Sequence, residues 1–415
     1  MKTKITAIVL IITSLLTLLS SCGVIYRVEK NSDSADNQGT ENNSEIQTES
    51  ETEAKSKDVR LSFVAAGDNM NHMSVYKEAY ALAGGNGGYY YDSMYENVAD
   101  FIKSADIAFV NQESPIAGQG YPVSGFPGFN APEESGKVLL DIGFDIINLA
   151  NNHMFDMDGG NKTGYLNSIK FWKNLNTFLI GGYESQADYD NVRVYEKDGV
   201  SIAFLSYTEF TNKNVNSDSG CIAPVFDKEV FIKHMAAAKE KADLVFVSMH
   251  WGDEGTFSPN SKQKELAQFI SNQGADVIIG HHSHTIQPIK WLNGESGNKT
   301  LVIYSLGNFI CTMLYPYNIL GAIVGFDVVK NDGEKAYIDN VKFNPIVIHY
   351  NADASVMDEQ DLPKRTGIKL YWLEDYTDSL AKSHGAQLYQ NFNLDTLKSY
   401  CTSTIDSEFL PDYLK

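Results

Sequence analysis

Cysteine and basic residues are both scarce in this chain. Only four cysteines occur in 415 residues, and Cys221, Cys311 and Cys401 are an odd number beyond Cys22, which excludes a disulfide-stabilised scaffold. The 33 Lys and Arg residues oppose 53 Asp and Glu residues, for a formal net charge of −20. This charge excludes nucleic acid as a partner held by bulk electrostatics. A polyanionic substrate would need a local binding device such as a metal ion.

Long apolar runs are also missing, except near the start of the chain. The run from Ile5 to Leu19 is shorter than the ~20 residues that a membrane-spanning helix needs. Lys2 and Lys4 precede this run, which predicts an export signal over residues 1–21. Leu19-Ser20-Ser21-Cys22 resembles the lipobox of bacterial lipoproteins, and this implies lipidation of Cys22 and a lipid anchor on the extracytoplasmic face of the cell membrane. An uncleaved anchor and a plainly secreted protein are the alternatives.

Residues 22–59 are predicted to be a flexible acidic tether. Ser, Asn, Gln, Thr and Glu dominate this segment, and aromatic residues are absent from it after Tyr26. Such a composition cannot bury enough apolar surface to offset the conformational entropy of ordering. We therefore expect the segment to separate the folded part of the protein from the membrane.

Folded sequence is predicted from residue 60 onward. The chain contains 43% apolar residues, enough for a substantial core, and its apolar runs alternate with helical patterns. This alternation predicts repeated β-α-β units, and hence an α/β fold with mixed sheets, over residues 60–350. Residues 351–415 are predicted to be a helical extension packed on this domain. Ligands in such folds bind beyond the carboxyl ends of the strands.

A histidine-rich segment lies at the end of one of these strands. The sequence Gly280-His281-His282-Ser283-His284 follows the apolar run Val277–Ile279. Because side chains repeat every second residue in an extended segment, His282 and His284 are predicted to hold one metal ion, and His281 is not counted as a ligand. Other ligand-type residues at the ends of apolar runs are Asp68, His72, Glu113, Asn152, His153 and His250.

The candidate residues form a mixed set of nitrogen and oxygen ligands. Such a set suits Mn, Fe or Zn and is poor for calcium. Its size fits two divalent ions ~3.5–4 Å apart that share a bridging carboxylate, either Glu113 or Asp68. A site of this kind generates hydroxide at neutral pH and stabilises both oxygens of a phosphoryl displacement. His153, adjacent to the expected ligand Asn152, is then the predicted general acid.

Several short motifs occur together in a recognisable order. They resemble the successive motifs of the CapA family, the bacterial capsule-synthesis and poly-γ-glutamate-associated proteins. The segments Phe126–Asn130 and Ser206–Thr208 share the resemblance and are expected to be loops near the site. The motifs are Gly67-Asp68, Asn111-x-Glu113, Asn151-Asn152-His153, His250-Trp251-Gly252-x-Glu254, Gly280-x-His282-x-His284 and Ser305-Leu306-Gly307-Asn308-Phe309.

The CapA family is similar in turn to the calcineurin-like metallophosphoesterases. This resemblance implies a four-layer α/β/β/α sandwich with mixed sheets and a dinuclear metal centre. It puts His153 in the position of the acid, and it makes His72, Glu254 and Asn308 further candidates, either as ligands or as residues that orient them. The chain departs from the larger class in having His72 four residues after Asp68 instead of two, and in having Glu113 in place of an aspartate. The implied ligands are Asp68, Glu113, Asn152, His250, His282 and His284.

Three functions are compatible with these features. The first is a surface-anchored lipoprotein of capsule or poly-γ-glutamate biogenesis, whose hydrolase-type site acts on an anionic cell-surface polymer or a phosphoester. The second is an extracellular metallophosphoesterase for small phosphate esters. The third is a non-catalytic subunit that works with membrane polymer-synthase components in polymer synthesis or export.

Overall fold

The computed structural model describes residues 26–27 and 58–415, except 119, 158–162 and 214–221. The predicted export signal, the predicted lipidation position Cys22 and most of the predicted tether lie outside the described residues. Within the described residues, no helix combines the length and the apolar character needed to cross a membrane.

The strands of the described chain run from the short β1 to the long hairpin near the C-terminus. In chain order they are β1 (Tyr26–Arg27), β2 (Val59–Asn69), β3 (Ile107–Gln112), β4 (Ile146–Asn148), β5 (Phe178–Ile180), β6 (Arg193–Lys197), β7 (Val200–Thr208), β8 (Leu244–His250), β9 (Val277–His281), β10 (Ile289–Asn293), β11 (Lys299–Ile303), β12 (Asn308–Ile310), β13 (Leu320–Lys330), β14 (Tyr337–Met357) and β15 (Pro363–Trp372).

These strands form two sheets, and both are mixed. Sheet A has the order β1-β6-β7-β8-β9-β11-β10, and sheet B has the order β15-β14-β13-β2-β3-β4-β5, with β12 paired to β2. The pairs among β7, β8, β9 and β11 are parallel, as are those among β2, β3, β4 and β5. Antiparallel pairs extend each sheet, for example β6 with β7 and β13 with β2. The predicted α/β class with mixed sheets is confirmed.

Helices lie between the strands along most of the described chain. Short 3₁₀ turns occur at Gly385–Leu388 and Asp412–Leu414. The helices are α1 (Met73–Leu82), α2 (Asp92–Ser104), α3 (Glu133–Asp141), α4 (Thr163–Asn174), α5 (Gln186–Asp190), α6 (Lys228–Lys241), α7 (Ser261–Asn272), α8 (Asp378–Ser383) and α9 (Leu394–Thr404).

Alternating side chains of the central strands produce the layers of the fold. In β7, Ala203 and Leu205 pack with α6 and α7 on the outside of sheet A, whereas Phe204 points into the core between the sheets. In that inner core, Phe246 of β8 meets Phe63 of β2 with ring centroids 5.3 Å apart. Helices α1 and α2 pack against sheet B. The predicted four-layer order of helix, sheet, sheet, helix is therefore confirmed.

The first part of the C-terminal extension is strand and not helix. The prediction of helix from residue 351 is wrong up to Trp372, because β14 continues to Met357 and pairs with β15. The antiparallel ladder of sheet B offers an open edge there, and the buried Ile368 and Leu370 of β15 alternate with more exposed residues. Helical structure begins only at α8.

Candidate metal centre

The predicted site residues lie where the parallel strands of both sheets end. The carboxyl ends of β2, β3 and β4 hold Asp68, Asn111 and Asn148 in register. Across the inner core, the ends of β7, β8 and β9 hold Thr208, His250 and His281 in register. Because the two edges face each other, residues far apart in sequence meet in one buried pocket.

The first cluster is built around His250. Its Nε2 atom lies 3.1 Å from Nδ1 of His282 and 2.9 Å from Oδ1 of Asn152. Glu113 Oε1 lies 3.6 Å from the same nitrogen. Ligand atoms of Glu113, His250 and His282 are all within 4.8 Å of one another. Two imidazole nitrogens, an amide oxygen and a carboxylate oxygen thus face a common point, which is a donor set that suits a transition metal ion.

The second cluster shares Glu113 with the first. Ligand atoms of Asp68, Glu113 and His284 lie within 4.8 Å of one another. His284 Nδ1 is 3.4 Å from Asp68 Oδ2, and its Nε2 is 3.9 Å from Glu113 Oε1. Glu113 is the only acidic residue common to both of these clusters of described residues. Glu113 is therefore the residue that would contact both cations if each cluster held one.

Asn308 orients the imidazole of His284. The Nδ2 group of Asn308 donates to the carbonyl of Asn318 at 2.9 Å, so its oxygen faces His284 Nδ1 at 3.0 Å. An amide oxygen only accepts, and Nδ1 therefore carries the proton. The Nε2 atom of His284 then faces Glu113 and can bind metal once it has lost its own proton. This geometry fits Asn308 better as an orienting residue than as a ligand.

Glu113 provides the test of whether this pocket fits cations. Its side chain is fully buried, and neither carboxylate oxygen has a hydrogen-bond partner among the described residues. Burial, together with the neighbouring charge of Asp68, raises the pKa of Glu113 well above its ordinary value. An unpaired buried carboxylate is costly unless a cation or a proton compensates it. The residues present therefore fit bound divalent metal.

Asp68 is ionised in this environment. Burial alone raises the pKa of its carboxyl group, but contacts with His281 and His284 outweigh that effect and hold the pKa well below its ordinary value. The backbone N–H of His282 also donates to Asp68 Oδ2 at 3.1 Å. The carboxylate is therefore available as an anionic ligand at neutral pH.

The imidazoles of the site differ in charge. Burial, assisted by His284, lowers the pKa of His282 to about 3, and burial with the nearby His282 lowers the pKa of His250 well below its ordinary value. Burial alone also lowers the pKa of His284, but the charges of Glu113 and Asp68 outweigh it and raise that pKa to about 10. His250 and His282 are thus neutral and present lone pairs, whereas His284 must lose a proton to bind metal.

The backbone conformation of His282 and His284 differs from the predicted one. Strand β9 ends at His281, and the backbone of both following histidines is left-handed, with φ of 89° at His282 and 52° at His284. The prediction of an extended segment with alternating side chains is therefore wrong. Left-handed backbone at a residue with a side chain costs about 1–3 kcal/mol and is concentrated at functional sites. Here His282 joins the cluster of His250 and His284 joins the cluster of Asp68, and both clusters include Glu113.

His153 lies beside the first cluster with one ring nitrogen already engaged. Its Nδ1 is 2.6 Å from Oδ2 of Asp156, and the backbone N–H of Phe129 donates to that same oxygen at 2.9 Å. The ring of Phe129 packs edge-on against His153, with centroids 4.8 Å apart. Asp156 thus accepts the Nδ1–H. Nε2, which has a 3.5 Å contact with Nδ2 of Asn212, is the ring atom available for proton exchange with a substrate.

The remaining candidates are less central. His72 accepts a hydrogen bond from the Thr312 N–H at Nδ1, 3.3 Å away, and burial lowers its pKa to about 3. Among the described residues, it belongs to none of the clusters with metal-ligand spacing. Glu254 is exposed, but a carboxylate oxygen lies within 4.8 Å of ligand nitrogens of His282 and His284. His281, which was not counted as a ligand, is buried with Nδ1 3.3 Å from Asp68 Oδ1.

The sequence prediction also missed residues that support the ligands. Asn111 and Asn148 form hydrogen bonds behind Asp68, and Asp156 supports His153. In the sequence, Asn111 and Asn148 are polar residues at strand ends, and Asp156 lies three residues after the candidate acid His153. Both patterns are too common to identify functional residues. The segment Ser206–Thr208, expected to be a loop, is the end of β7.

Two sequence comparisons bear on the family. A profile of the family described as Bacterial capsule synthesis protein PGA_cap matches residues 62–313. The PGA biosynthesis protein CapA of Bacillus subtilis (strain 168) is 31% identical over 283 residues, which cover 67% of this chain and 70% of that protein. The chain belongs to the bacterial capsule synthesis protein family. The Capsule biosynthesis protein CapA of Bacillus anthracis is 29% identical over 268 residues, 61% of each chain.

This membership confirms the predicted family resemblance, and the residues of both clusters lie within the matched segment. Among solved structures, a putative 5′-nucleotidase from Staphylococcus aureus aligns with a TM-score of 0.43 and 17% identity, over 73% of this chain and 57% of that chain. A phosphatase from Mycoplasma pneumoniae aligns with a TM-score of 0.41 and 14% identity, over 70% of this chain and 94% of that chain. Both structural similarities are distant.

Proposed function

We propose that this protein is a metal-dependent hydrolase that acts in capsule or poly-γ-glutamate biogenesis. Its substrate would be a phosphoester, or an ester or amide bond of an anionic cell-surface polymer. The observation that carries this proposal is Glu113, a buried carboxylate that belongs to both clusters of nitrogen and oxygen ligands and finds no hydrogen-bond partner in the part of the chain that the structure describes. A buried carboxylate is costly unless a cation or a proton compensates it, and this cost supports metal binding at the proposed site.

The chain would hold two divalent cations, of Mn, Fe or Zn. Asp68, Glu113 and His284 would hold one cation, and Glu113, Asn152, His250 and His282 would hold the other. When bound, such a pair activates a water molecule and stabilises the charge that develops on a phosphoryl group. Glu254, at the exposed side of the pocket, is available as an additional carboxylate ligand.

His153 would supply the proton for the leaving group. Asp156 holds its Nδ1–H, so Nε2 is the atom that donates to the departing oxygen or nitrogen. The edge of Phe129 limits rotation of the ring. A general acid fixed in this way contributes about 10²–10⁴ to the rate of such reactions.

The protein would act at the cell surface. Lipidation of Cys22 would anchor it to the extracytoplasmic face of the membrane, and the acidic segment before residue 60 would let the domain reach polymer or membrane polymer-synthase components. A net charge of −20 repels a polyanion, so substrate binding would depend on the metal centre. Replacing Cys22 with Ala tests the anchor: the variant should be released from membranes, and full retention would contradict lipidation.

The catalytic proposal is tested with the full-length protein in detergent, loaded with Mn²⁺ and offered an aryl phosphate monoester, an aryl phosphodiester and poly-γ-glutamate. We expect turnover of at least one substrate. His153→Ala should lower that turnover by about 10²–10⁴ while leaving the bound metal unchanged. Turnover of the small esters alone would favour an extracellular phosphoesterase without a polymer role.

The matched control is His234→Ala, because His234 lies on α6 on the outer side of sheet A, away from the pocket. It should bind metal and turn over substrate like the wild type. Full metal occupancy without turnover of any substrate, combined with loss of surface polymer on deletion of the protein, would contradict the hydrolase and favour a non-catalytic subunit.

A further inference from the structure

Behind Asp68, buried side chains form a continuous row of hydrogen bonds that crosses from one sheet to the other. Ser206 Oγ on β7 donates to Asn148 Oδ1 on β4 at 2.5 Å. Asn148 Nδ2 donates to Asn111 Oδ1 on β3 at 2.8 Å. Asn111 Nδ2 then donates to Asp68 Oδ1 on β2 at 2.7 Å. All four side chains are buried.

The carboxylate of Asp68, at the end of the row, determines which group donates in each hydrogen bond. An ionised carboxylate only accepts hydrogen bonds, so Asn111 must turn its NH₂ group toward Asp68 and its oxygen toward Asn148. That oxygen in turn requires the NH₂ group of Asn148, whose own oxygen faces Ser206. Each of the three hydrogen bonds of the row is therefore donated toward the carboxylate, and the hydrogen bonds of such a chain polarise and strengthen one another. The Nδ2 group of Asn111 also lies 3.4 Å from Nδ1 of His250.

The row fixes the orientation of the Asp68 carboxylate. Its Oδ1 is held by Asn111, and its Oδ2 accepts from the backbone N–H of His282. Hydrogen bonds to both oxygens thus fix the orientation of the Asp68 carboxylate independently of a bound cation. Because Ser206 belongs to sheet A and Asp68 to sheet B, the row also couples the orientation of this ligand to the packing of the two sheets.

We propose that Ser206, Asn148 and Asn111 are positioning residues that hold Asp68 in the orientation required for metal binding. The proposal rests on the metal site of the proposed function. It differs from a merely structural role, in which these hydrogen bonds would only satisfy buried polar groups. A structural role predicts lower stability of the metal-free protein, whereas a positioning role predicts weaker metal binding by protein that is still folded.

The test measures Mn²⁺ affinity of the full-length protein by calorimetry, with the melting temperature in chelator as the measure of folding. Asn111→Ala should weaken binding at the Asp68 cluster by about 10–100-fold, the usual effect of removing a residue that orients a metal ligand. Asn148→Ala should weaken it less, and Ser206→Ala least, by roughly a few-fold. The effect should decrease with the number of hydrogen bonds separating each residue from Asp68.

The chain offers a close control for Ser206. Ser248 pairs with Ser206 in register on the neighbouring strand β8 and is also buried, but no described residue forms a hydrogen bond with its hydroxyl. Ser248→Ala should bind Mn²⁺ with wild-type affinity. If Ser206→Ala and Asn148→Ala bind as Ser248→Ala does, the positioning proposal is wrong, while the metal site itself stands.

A double-mutant cycle identifies Asp68 as the residue through which the row acts. In an Asp68→Asn background, Asn148→Ala should cause no further loss of Mn²⁺ affinity at the remaining cluster. Additive losses would overturn the proposal. If the wild-type protein does not bind Mn²⁺, both the metal site and the positioning role are wrong. If the wild type binds Mn²⁺ and the variants bind it equally well, only the positioning role is wrong.

Discussion

Nδ1 of His282 lies 3.1 Å from Nε2 of His250, and both rings are buried. One nitrogen belongs to the last residue of β8 and the other to the turn after β9, so this contact joins the ends of adjacent parallel strands. Both imidazoles have lowered pKa values and are neutral at pH 7. Two neutral nitrogens at this distance share either one proton or one cation.

Removing His282 should therefore remove one metal ion and leave the other. In His282→Ala, the cluster of Asp68, Glu113 and His284 remains complete, so metal analysis should fall from about two ions per chain to about one. His234→Ala, on the outer side of sheet A, should keep both ions. Retention of two tightly bound ions by His282→Ala would contradict this assignment of ligands.

Replacing Glu113 should stabilise the metal-free protein and remove the carboxylate shared by the two proposed cation sites. Since the pKa of Glu113 is raised in the folded protein, its ionised form opposes folding, and this penalty grows as the pH rises above the unfolded value of about 4.3. In chelator at pH 7, Glu113→Gln should raise the free energy of unfolding by on the order of 1–3 kcal/mol. The gain should shrink below pH 4.

Denaturant unfolding across this pH range checks the Glu113 prediction. Glu240→Gln, an exposed change on α6, should alter stability little at any pH. The same Glu113→Gln protein should lose most of its metal affinity. A variant that is less stable than the wild type in chelator at pH 7 would show that the buried carboxylate is compensated in some other way.

Asp156 should matter for turnover but not for metal content. In Asp156→Asn, the amide retains an oxygen for His153 Nδ1–H but loses its negative charge, so the hydrogen bond that orients the ring becomes weaker. Turnover should fall by roughly tenfold or more, yet less than in His153→Ala. Asp141→Asn, at the exposed end of α3, is the control for the same chemical change. Equal turnover in both Asp variants would remove Asp156 from the mechanism.

A methyl group at Gly67 should disrupt the fold next to the site. An added Cβ would lie 1.9 Å from the carbonyl oxygen of Gly307, which accepts a hydrogen bond from the Asp68 N–H at 3.0 Å. Gly67→Ala should lower the free energy of unfolding by more than about 4 kcal/mol. Gly325→Ala is the control within the same sheet, since its nearest neighbour would be 3.8 Å away. If Gly67→Ala melts at the same temperature as Gly325→Ala, Gly67 does not lie as close to the Gly307 carbonyl as described.

Much of the fold could be predicted because it depends on local patterns. Strand β5 (Phe178–Ile180) and helix α6 (Lys228–Lys241) are examples of the alternating strands and helices predicted over residues 60–350. The start of α6 is marked by Asp227, whose side chain accepts hydrogen bonds from the N–H groups of Glu229 and Val230. The hairpin of β14 and β15 was missed because its pairing depends on the open edge of sheet B, which no local pattern reports.

The sequence by itself determined which residues follow strands, and therefore that Asp68, Glu113, His250 and the histidines after β9 would lie at one edge of the fold. Only the tertiary structure decided which of them meet. Asp68 contacts the backbone of a residue 214 positions away, and such contacts depend on strand order and on the packing of two sheets. The left-handed turn at His282 and the hydrogen bonds behind Asp68 have the same origin, because long-range packing selects backbone conformations and side-chain partners that local preference leaves open.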